Sequence, residues 1–119
     1  MISTKLHGYL DYLMGIFLIV SPWIFNFPQG MATTLPIVLG AGTILYSLLT
    51  AYELGAFGLI PVPVHLIIDV LAGVLLIASP WIFGFSDQVY LPFVVLGAIE
   101  VLTGLMTSKK PLTPDLQRG

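Results

Sequence analysis

The pentapeptide Ser21-Pro22-Trp23-Ile24-Phe25 occurs again, unchanged, as Ser79-Pro80-Trp81-Ile82-Phe83, 58 positions further along the chain. The same offset aligns a wider set of identical residues: His7, Asp11, Gly15, Ile19 and Phe27 align with His65, Asp69, Gly73, Ile77 and Phe85. Later in each half, an offset of 57 aligns Gly40, Ala41 and Thr50 with Gly97, Ala98 and Thr107. Self-similarity at a fixed spacing indicates a tandem duplication, with repeat one at residues 1–57 and repeat two at 58–108.

The composition excludes a water-soluble domain. Of 119 residues only 10, or 8%, are charged, while 57% are hydrophobic and the mean hydropathy is +1.01. Soluble proteins carry about 25% charged residues. A small domain cannot bury so much apolar surface, and a disordered chain would be poor in apolar residues and rich in charge. An integral membrane protein is the class that remains.

Four apolar segments are long enough to cross a bilayer as helices, which takes roughly 20 residues. They cover about residues 6–25, 34–52, 64–83 and 90–107. Polar turns at 26–30 and 84–88 separate the two spans of each repeat, and a Gly/Pro-rich connector joins the repeats. The sequence therefore predicts an all-α fold, a polytopic membrane four-helix bundle built from two tandem helical hairpins.

The positions of the basic residues predict the orientation. Lys5 precedes the first span, and Lys109, Lys110 and Arg118 follow the fourth. By the positive-inside rule, both termini and the polar tail at 109–119 are expected in the cytoplasm. Because each unit holds two spans, both copies enter the membrane in the same direction, as a parallel internal repeat.

The repeated unit His-x3-Asp-x3-Gly-x5-Ser-Pro-Trp-Ile-Phe resembles the SPW-repeat family of small prokaryotic membrane proteins. Both copies are intact, and the resemblance extends to about Thr107. The resemblance implies a multi-pass protein of the prokaryotic plasma membrane, and it does not indicate any biochemical activity.

His7 and Asp11 are four residues apart, so they lie on one face of a helix, and His65 and Asp69 repeat that arrangement. An Asp inside a span costs about 2.5–3.5 kcal/mol, so both acids should face the bundle interior. The simplest partner of each is the His one turn away. We expect the first and third helices to form the centre, with the two pairs near each other.

Gly15 and Gly73 lie one turn beyond the aspartates. Small residues allow close approach of membrane helices, so we expect them to bring the first and third helices together. Glu100 is an intramembrane acid in one half only, since its counterpart is Thr43. It should be protonated or buried against a partner, either between helices of the chain or at a contact with another subunit.

The Ser-Pro-Trp motif is expected near the outer membrane interface, since 14 residues from His7 to Ser21 span about 21 Å. Pro22 removes one helical N–H, and Ser21 can bond a carbonyl freed there. Trp23 then reaches headgroup depth as part of an aromatic belt, or alternatively serves as a platform for a ligand. The same holds for Ser79, Pro80 and Trp81.

Four hypotheses remain open for the predicted intramembrane polar cluster of His7, Asp11, His65, Asp69 and Glu100. The residues can pair with one another and hold the repeats together, or move protons or ions. Two His and two Asp, with Glu100, are also ligand types for a transition metal. Finally, His7 and His65 could bind a haem or chlorophyll-type cofactor axially.

The sequence lacks the residues that several functional classes require. With no cysteine there is no thiolate site, and four cations leave no basic patch for nucleic acid. No nucleophile–base triad or phosphate-binding glycine loop occurs, which predicts a protein that is not an enzyme. The leading hypothesis is an accessory or scaffolding subunit, or a homo-oligomer, with the lipid bilayer and other membrane subunits or itself as partners. The alternative is a small transporter or ion-conducting protein.

Overall fold

The computed structural model describes residues 2–109, which form four α-helices. They are α1 (Thr4–Ile24), α2 (Met31–Leu49), α3 (Val62–Ile82) and α4 (Leu91–Met106). Extensive packing of α1 on α2 and of α3 on α4 confirms the two hairpins. No β-strand occurs within residues 2–109, so the predicted all-α class is confirmed there. Of the predicted polar tail, everything after Lys109 lies outside the described residues.

The helix boundaries differ by a few residues from those expected. α1 begins at Thr4, so Lys5 lies in its first turn rather than before the span. The hydroxyl of Ser3 accepts a hydrogen bond from the backbone N–H of Leu6 at 3.1 Å and caps this end. α2 ends at Leu49 rather than at 52, because Thr50 adopts an extended conformation and pairs with the segment before α3.

Among the described residues, α2 and α3 are long and apolar enough to cross a membrane. α4 is apolar but has 16 residues, and α1 has 21 residues but carries Lys5, His7 and Asp11. The molecule is elongated, with principal extents of 47 × 21 × 19 Å.

The bundle buries polar side chains as well as an apolar core, and it exposes many large apolar side chains. Large apolar side chains are exposed along each helix, including Leu13, Leu45, Leu71 and Leu105 at 61–66% exposure. The polar side chains that are buried include Thr4, His7, Asp11, Ser21, Thr43, Ser47, Thr50, His65, Asp69, Ser79, Glu100 and Thr107. Exposed apolar surface of this extent marks contact with a membrane or with another protein.

Glycines allow close backbone contact between the two helices of each hairpin. A Cβ built at Gly15 would lie 2.9 Å from the carbonyl oxygen of Gly40 in α2, and one at Gly73 would lie 2.7 Å from that of Gly97 in α4. The prediction that Gly15 and Gly73 bring α1 and α3 together is therefore wrong. Close backbone contact occurs within each hairpin, whereas α1 and α3 meet through longer polar side chains.

In each Ser-Pro pair, the serine hydroxyl replaces the backbone hydrogen bond that the proline cannot make. In a regular helix the N–H at position 22 would donate to the carbonyl of Leu18, and proline has no such N–H. The hydroxyl of Ser21 donates to that carbonyl instead, at 2.7 Å, which confirms the expected bond. Ser79 donates to the carbonyl of Leu76 in the same way, also at 2.7 Å. α1 and α3 thus continue through proline to their last turn.

Trp23 and Trp81 follow these prolines and are 70% and 56% exposed. They point away from the bundle core, as side chains of an interfacial belt would. Their position relative to a membrane stays a prediction.

At the opposite end of α1 and α3, backbone bridges connect the repeats. Ile2, just before α1, pairs with Thr107 at the end of α4, and Ile60, just before α3, pairs with Thr50 at the end of α2. The two bridges are equivalent under the repeat. They bring each threonine beside the first turn of a helix from the other repeat.

Candidate functional site

Four buried side chains from α1 and α3 meet between the hairpins. They are His7 and Asp11 of repeat one and His65 and Asp69 of repeat two, and one nitrogen or oxygen atom from each lies within 4.8 Å of the others. Each residue is at most 4% exposed. We call these four residues the His–Asp centre.

The shortest contacts of the centre cross between the repeats. Nε2 of His7 lies 2.6 Å from Oδ2 of Asp69 and 3.0 Å from Oδ1 of Asp11. Nε2 of His65 lies 2.8 Å from Oδ2 of Asp11 and 3.2 Å from Oδ2 of Asp69. The pairing one turn apart within a helix is present, but each histidine lies closer to the aspartate of the other repeat. The centre therefore links the two hairpins.

The second nitrogen of each ring contacts a threonine of the other repeat. Nδ1 of His7 lies 2.7 Å from Oγ1 of Thr107, and Nδ1 of His65 lies 2.6 Å from Oγ1 of Thr50. Each threonine hydroxyl donates its one proton to a backbone carbonyl four residues earlier, that of Tyr46 for Thr50. The oxygen can then only accept from the ring, which assigns a proton to Nδ1 of both histidines.

With Nδ1 protonated, the Nε2 atoms face only carboxylate oxygens. A contact of 2.6–2.8 Å between a nitrogen and a carboxyl oxygen requires a proton between them. The centre therefore holds two such protons, one for each cross-repeat contact. Two imidazolium rings and two carboxylates have zero net charge, which is the balance that burial favours.

Two tyrosines complete the hydrogen bonding of the carboxylates. Tyr46 of α2 donates to Oδ1 of Asp69, and Tyr52 of the connector donates to Oδ2 of Asp11 at 2.9 Å. Burial and the neighbouring Asp11 charge raise the pKa of Tyr52, so this side chain stays a phenol and a donor. Each aspartate is thus fixed by a histidine from each repeat and by one tyrosine.

Glu100 lies outside the His–Asp centre. It is 4% exposed, and its Oε2 has no hydrogen-bond partner among residues 2–109. Glu100 and Asp11 line one groove of about 330 Å³ between α1 and α4, together with Thr103. In the other repeat the position of Thr103 is occupied by Tyr46, whose larger side chain covers Asp69. Glu100 thus lies next to one member of the His–Asp centre, Asp11, along this groove.

The comparisons with known proteins agree with the duplicated motif. The model of the SPW repeat domain family matches residues 5–107, a stretch that holds both Ser-Pro-Trp sequences and the whole His–Asp centre. The chain belongs to the SPW repeat domain family. Together with the two apolar helices, membership in this family indicates a membrane protein, without specifying its role. No curated protein and no solved structure matches the chain.

Sequence reasoning on this SPW repeat protein missed four functional side chains: Thr50, Thr107, Tyr46 and Tyr52. A signal existed for the threonines, because they are identical at the offset of 57 that aligns the later parts of the repeats. No such signal existed for the tyrosines, since Tyr46 aligns with Thr103 and Tyr52 aligns with a lysine.

The haem or chlorophyll-type hypothesis for His7 and His65 finds no support in the geometry of the SPW repeats. The Nε2 atom that would ligate the metal of the macrocycle lies 2.6–2.8 Å from a carboxylate oxygen in each ring, which leaves no space there for a planar macrocycle. A macrocycle would have to displace the centre that joins the hairpins.

Proposed function

We propose that this SPW repeat protein is a multi-pass protein of the prokaryotic plasma membrane, with all four helices in the bilayer and both termini in the cytoplasm. The exposed apolar side chains of each helix and the burial of the polar ones support this arrangement. The bridge between Ile2 and Thr107 places Lys5 and Lys109 at one end of the bundle, which suits a cytoplasmic face. At about 24 Å, α4 is short, and local thinning of the bilayer accommodates such a helix.

The absence of cysteine makes the topology easy to test, because any introduced thiol is unique. Gln29→Cys and Gln88→Cys place it in the two hairpin turns, and Lys109→Cys places it after α4. A membrane-impermeant maleimide added to intact cells should label the turn variants and spare Lys109→Cys until the cells are broken. Labelling of Lys109→Cys in intact cells would contradict the proposed orientation.

We further propose that the protein functions by association, without enzymatic activity, as an accessory or scaffolding subunit or as a homo-oligomer. One observation carries this proposal: the His and Asp side chains suited to chemistry are bonded to one another in the interior, while the exterior is apolar. Such a surface contacts the lipid bilayer and other membrane subunits or further copies of the chain. Nucleic acid is not an expected partner.

Cross-linking in native membranes followed by native mass spectrometry tests the association. The expected result is one defined stoichiometry, either of this chain alone or with a second membrane protein, that persists across detergents. A monomer in native membranes and in every detergent would exclude this role.

Proton or ion movement is a second candidate, and the buried, unpartnered Oε2 of Glu100 beside the groove favours it. An acid there can exchange a proton with Asp11 or with water that enters the groove. If this is the function, proteoliposomes should show a cation or proton flux that Glu100→Gln removes and Asp87→Asn, an exposed change in a turn, preserves. Equal flux in the Glu100→Gln protein would eliminate this candidate.

A further inference from the structure

We propose that the His–Asp centre binds one divalent transition-metal ion, of the Zn²⁺ class, in exchange for its two protons. The ligands would be Nε2 of His7 and His65 and one carboxylate oxygen each of Asp11 and Asp69. This site goes beyond the association role and does not depend on it.

The donor set and its spacing support a metal of this class. Two imidazole nitrogens and two carboxylate oxygens suit Zn²⁺ and its neighbours, whereas Mg²⁺ and Ca²⁺ prefer oxygen ligands alone. Bonds of about 2.0–2.2 Å in a tetrahedron separate ligand atoms by roughly 3.3 Å. Three contacts between the proposed ligand atoms now measure 2.6, 3.0 and 3.2 Å. Lengthening these contacts by about 0.1–0.7 Å, to the separation of ligand atoms in a tetrahedral site, would make room for the ion.

The surrounding hydrogen bonds already fix the histidines as metal ligands require. A ligating imidazole uses one nitrogen for the metal and donates its other N–H to a fixed acceptor. Thr107 and Thr50 supply those acceptors at 2.7 and 2.6 Å, and their own protons are committed to backbone carbonyls. Nε2 is therefore the nitrogen that faces the other three donors in both rings.

The carboxylates are oriented from outside in the same manner. Tyr46 donates to Oδ1 of Asp69, which leaves the Oδ2 that contacts both histidines for the ion. Tyr52 donates to Oδ2 of Asp11, so Oδ1 of that residue is the oxygen available. Each of the four ligands thus has a hydrogen bond outside the site that holds it in place.

Charge balance makes the exchange feasible in a buried position. Without metal, two imidazolium rings and two carboxylates sum to zero. On binding, each Nε2–H bond breaks, its electron pair forms the bond to the ion, and two protons leave to the solvent. The product, one divalent ion with two neutral imidazoles and two carboxylates, also sums to zero. A monovalent or trivalent ion would leave an uncompensated buried charge, which is costly.

The test uses the full chain in detergent, stripped with a chelator and titrated with Co²⁺ and Zn²⁺. We expect one ion per chain, intense visible d–d absorption typical of four-coordinate Co²⁺, and two protons released per ion in calorimetry across buffers of different ionisation enthalpy. Asp87→Asn, an exposed acid outside the centre, is the matched control and should bind as the parent does. Thr107→Val, which leaves every ligand in place, should weaken binding about 10–100-fold.

A variant of a ligand could lose binding because it fails to fold, so X-ray absorption of the Zn²⁺-loaded parent protein supplies the decisive readout. Two imidazole and two carboxylate ligands in the first shell are expected. Binding below one ion per chain, the pale spectrum of six-coordinate Co²⁺, or a first shell without imidazole would each overturn the proposal. Unchanged affinity in Thr107→Val, with its fold intact by circular dichroism, would also overturn it.

Discussion

His7 of the first repeat lies nearer to Asp69 of the second repeat, at 2.6 Å, than to Asp11 one turn along its own helix, at 3.0 Å. His65 reciprocates with 2.8 Å to Asp11 and 3.2 Å to Asp69. After duplication of one hairpin, the histidine of each copy thus contacts the aspartate of the other copy more closely than its own. A hairpin alone would hold a buried His and Asp without these cross-repeat contacts.

Removing one carboxylate should therefore damage the whole bundle. Asp69→Asn keeps the size of the side chain but leaves two histidines and one aspartate with unequal charge in a buried site. Loss of one partner of a buried ion pair costs about 3–5 kcal/mol, so we expect the free energy of unfolding in micelles to fall by that amount. Asp87→Asn, an exposed change of the same chemistry, should stay within about 0.5 kcal/mol. Similar small effects of both would refute the role of Asp69.

The threonine acceptors can be tested without touching a charge. Thr107→Val preserves shape and leaves the Nδ1–H of His7 buried without its acceptor, which costs about 1–3 kcal/mol of unfolding free energy. Thr50→Val should have an equal effect through His65. Thr34→Val on the exposed side of α2 provides the control. If the two buried variants unfold like the control, Nδ1 is not held as described.

The Ser-Pro pairs predict a non-additive result. Ser21→Ala leaves the carbonyl of Leu18 without a donor and should cost about 1–3 kcal/mol, because the site is buried. In a Pro22→Ala background the restored backbone N–H can donate to that carbonyl, so Ser21→Ala should cost much less. Unfolding of the two single variants and the double variant measures the difference. Equal costs of Ser21→Ala in both backgrounds would show that the hydroxyl serves another purpose.

Neighbouring glycines of α2 provide a matched pair for the packing inside the first hairpin. A Cβ at Gly40 would lie 2.5 Å from the carbonyl oxygen of Gly15, whereas one at Gly42 would have no atom within 4 Å. Gly40→Ala should force α1 and α2 apart and destabilise by about 1–3 kcal/mol. Gly42→Ala should be neutral or stabilise by about 0.5–1 kcal/mol, as alanine favours a helix. Destabilisation by both variants to the same degree would contradict this packing.

The sequence predicted those features that depend on periodicity and on self-comparison. The length of the apolar segments and the polar turns between them located four helices to within a few residues, and the repeat identified the two hairpins. The bond of Ser21 followed from the missing N–H of proline, which is a local property of the chain.

Tertiary partners were harder to predict, because a helix face does not specify its neighbour. Gly15 and Asp11 lie one turn apart on α1, yet Gly15 contacts α2 while Asp11 reaches α3. A glycine permits close approach to any helix, so its partner depends on the packing of the hairpin. Tyr46 and Tyr52 were missed since neither has a tyrosine at the equivalent position. Their contacts depend on how α2 and the connector pack against α1 and α3.

A double-mutant cycle between His7 and Asp69 tests most directly whether the centre joins the two repeats. The free energies of unfolding are measured for the parent, His7→Asn, Asp69→Asn and the double variant in one micelle system, with a parallel cycle between His7 and Asp87. A direct contact predicts a coupling of about 1–3 kcal/mol for His7 with Asp69 and additive effects for His7 with Asp87. Additivity within about 0.5 kcal/mol in both cycles would contradict a direct contact between the repeats.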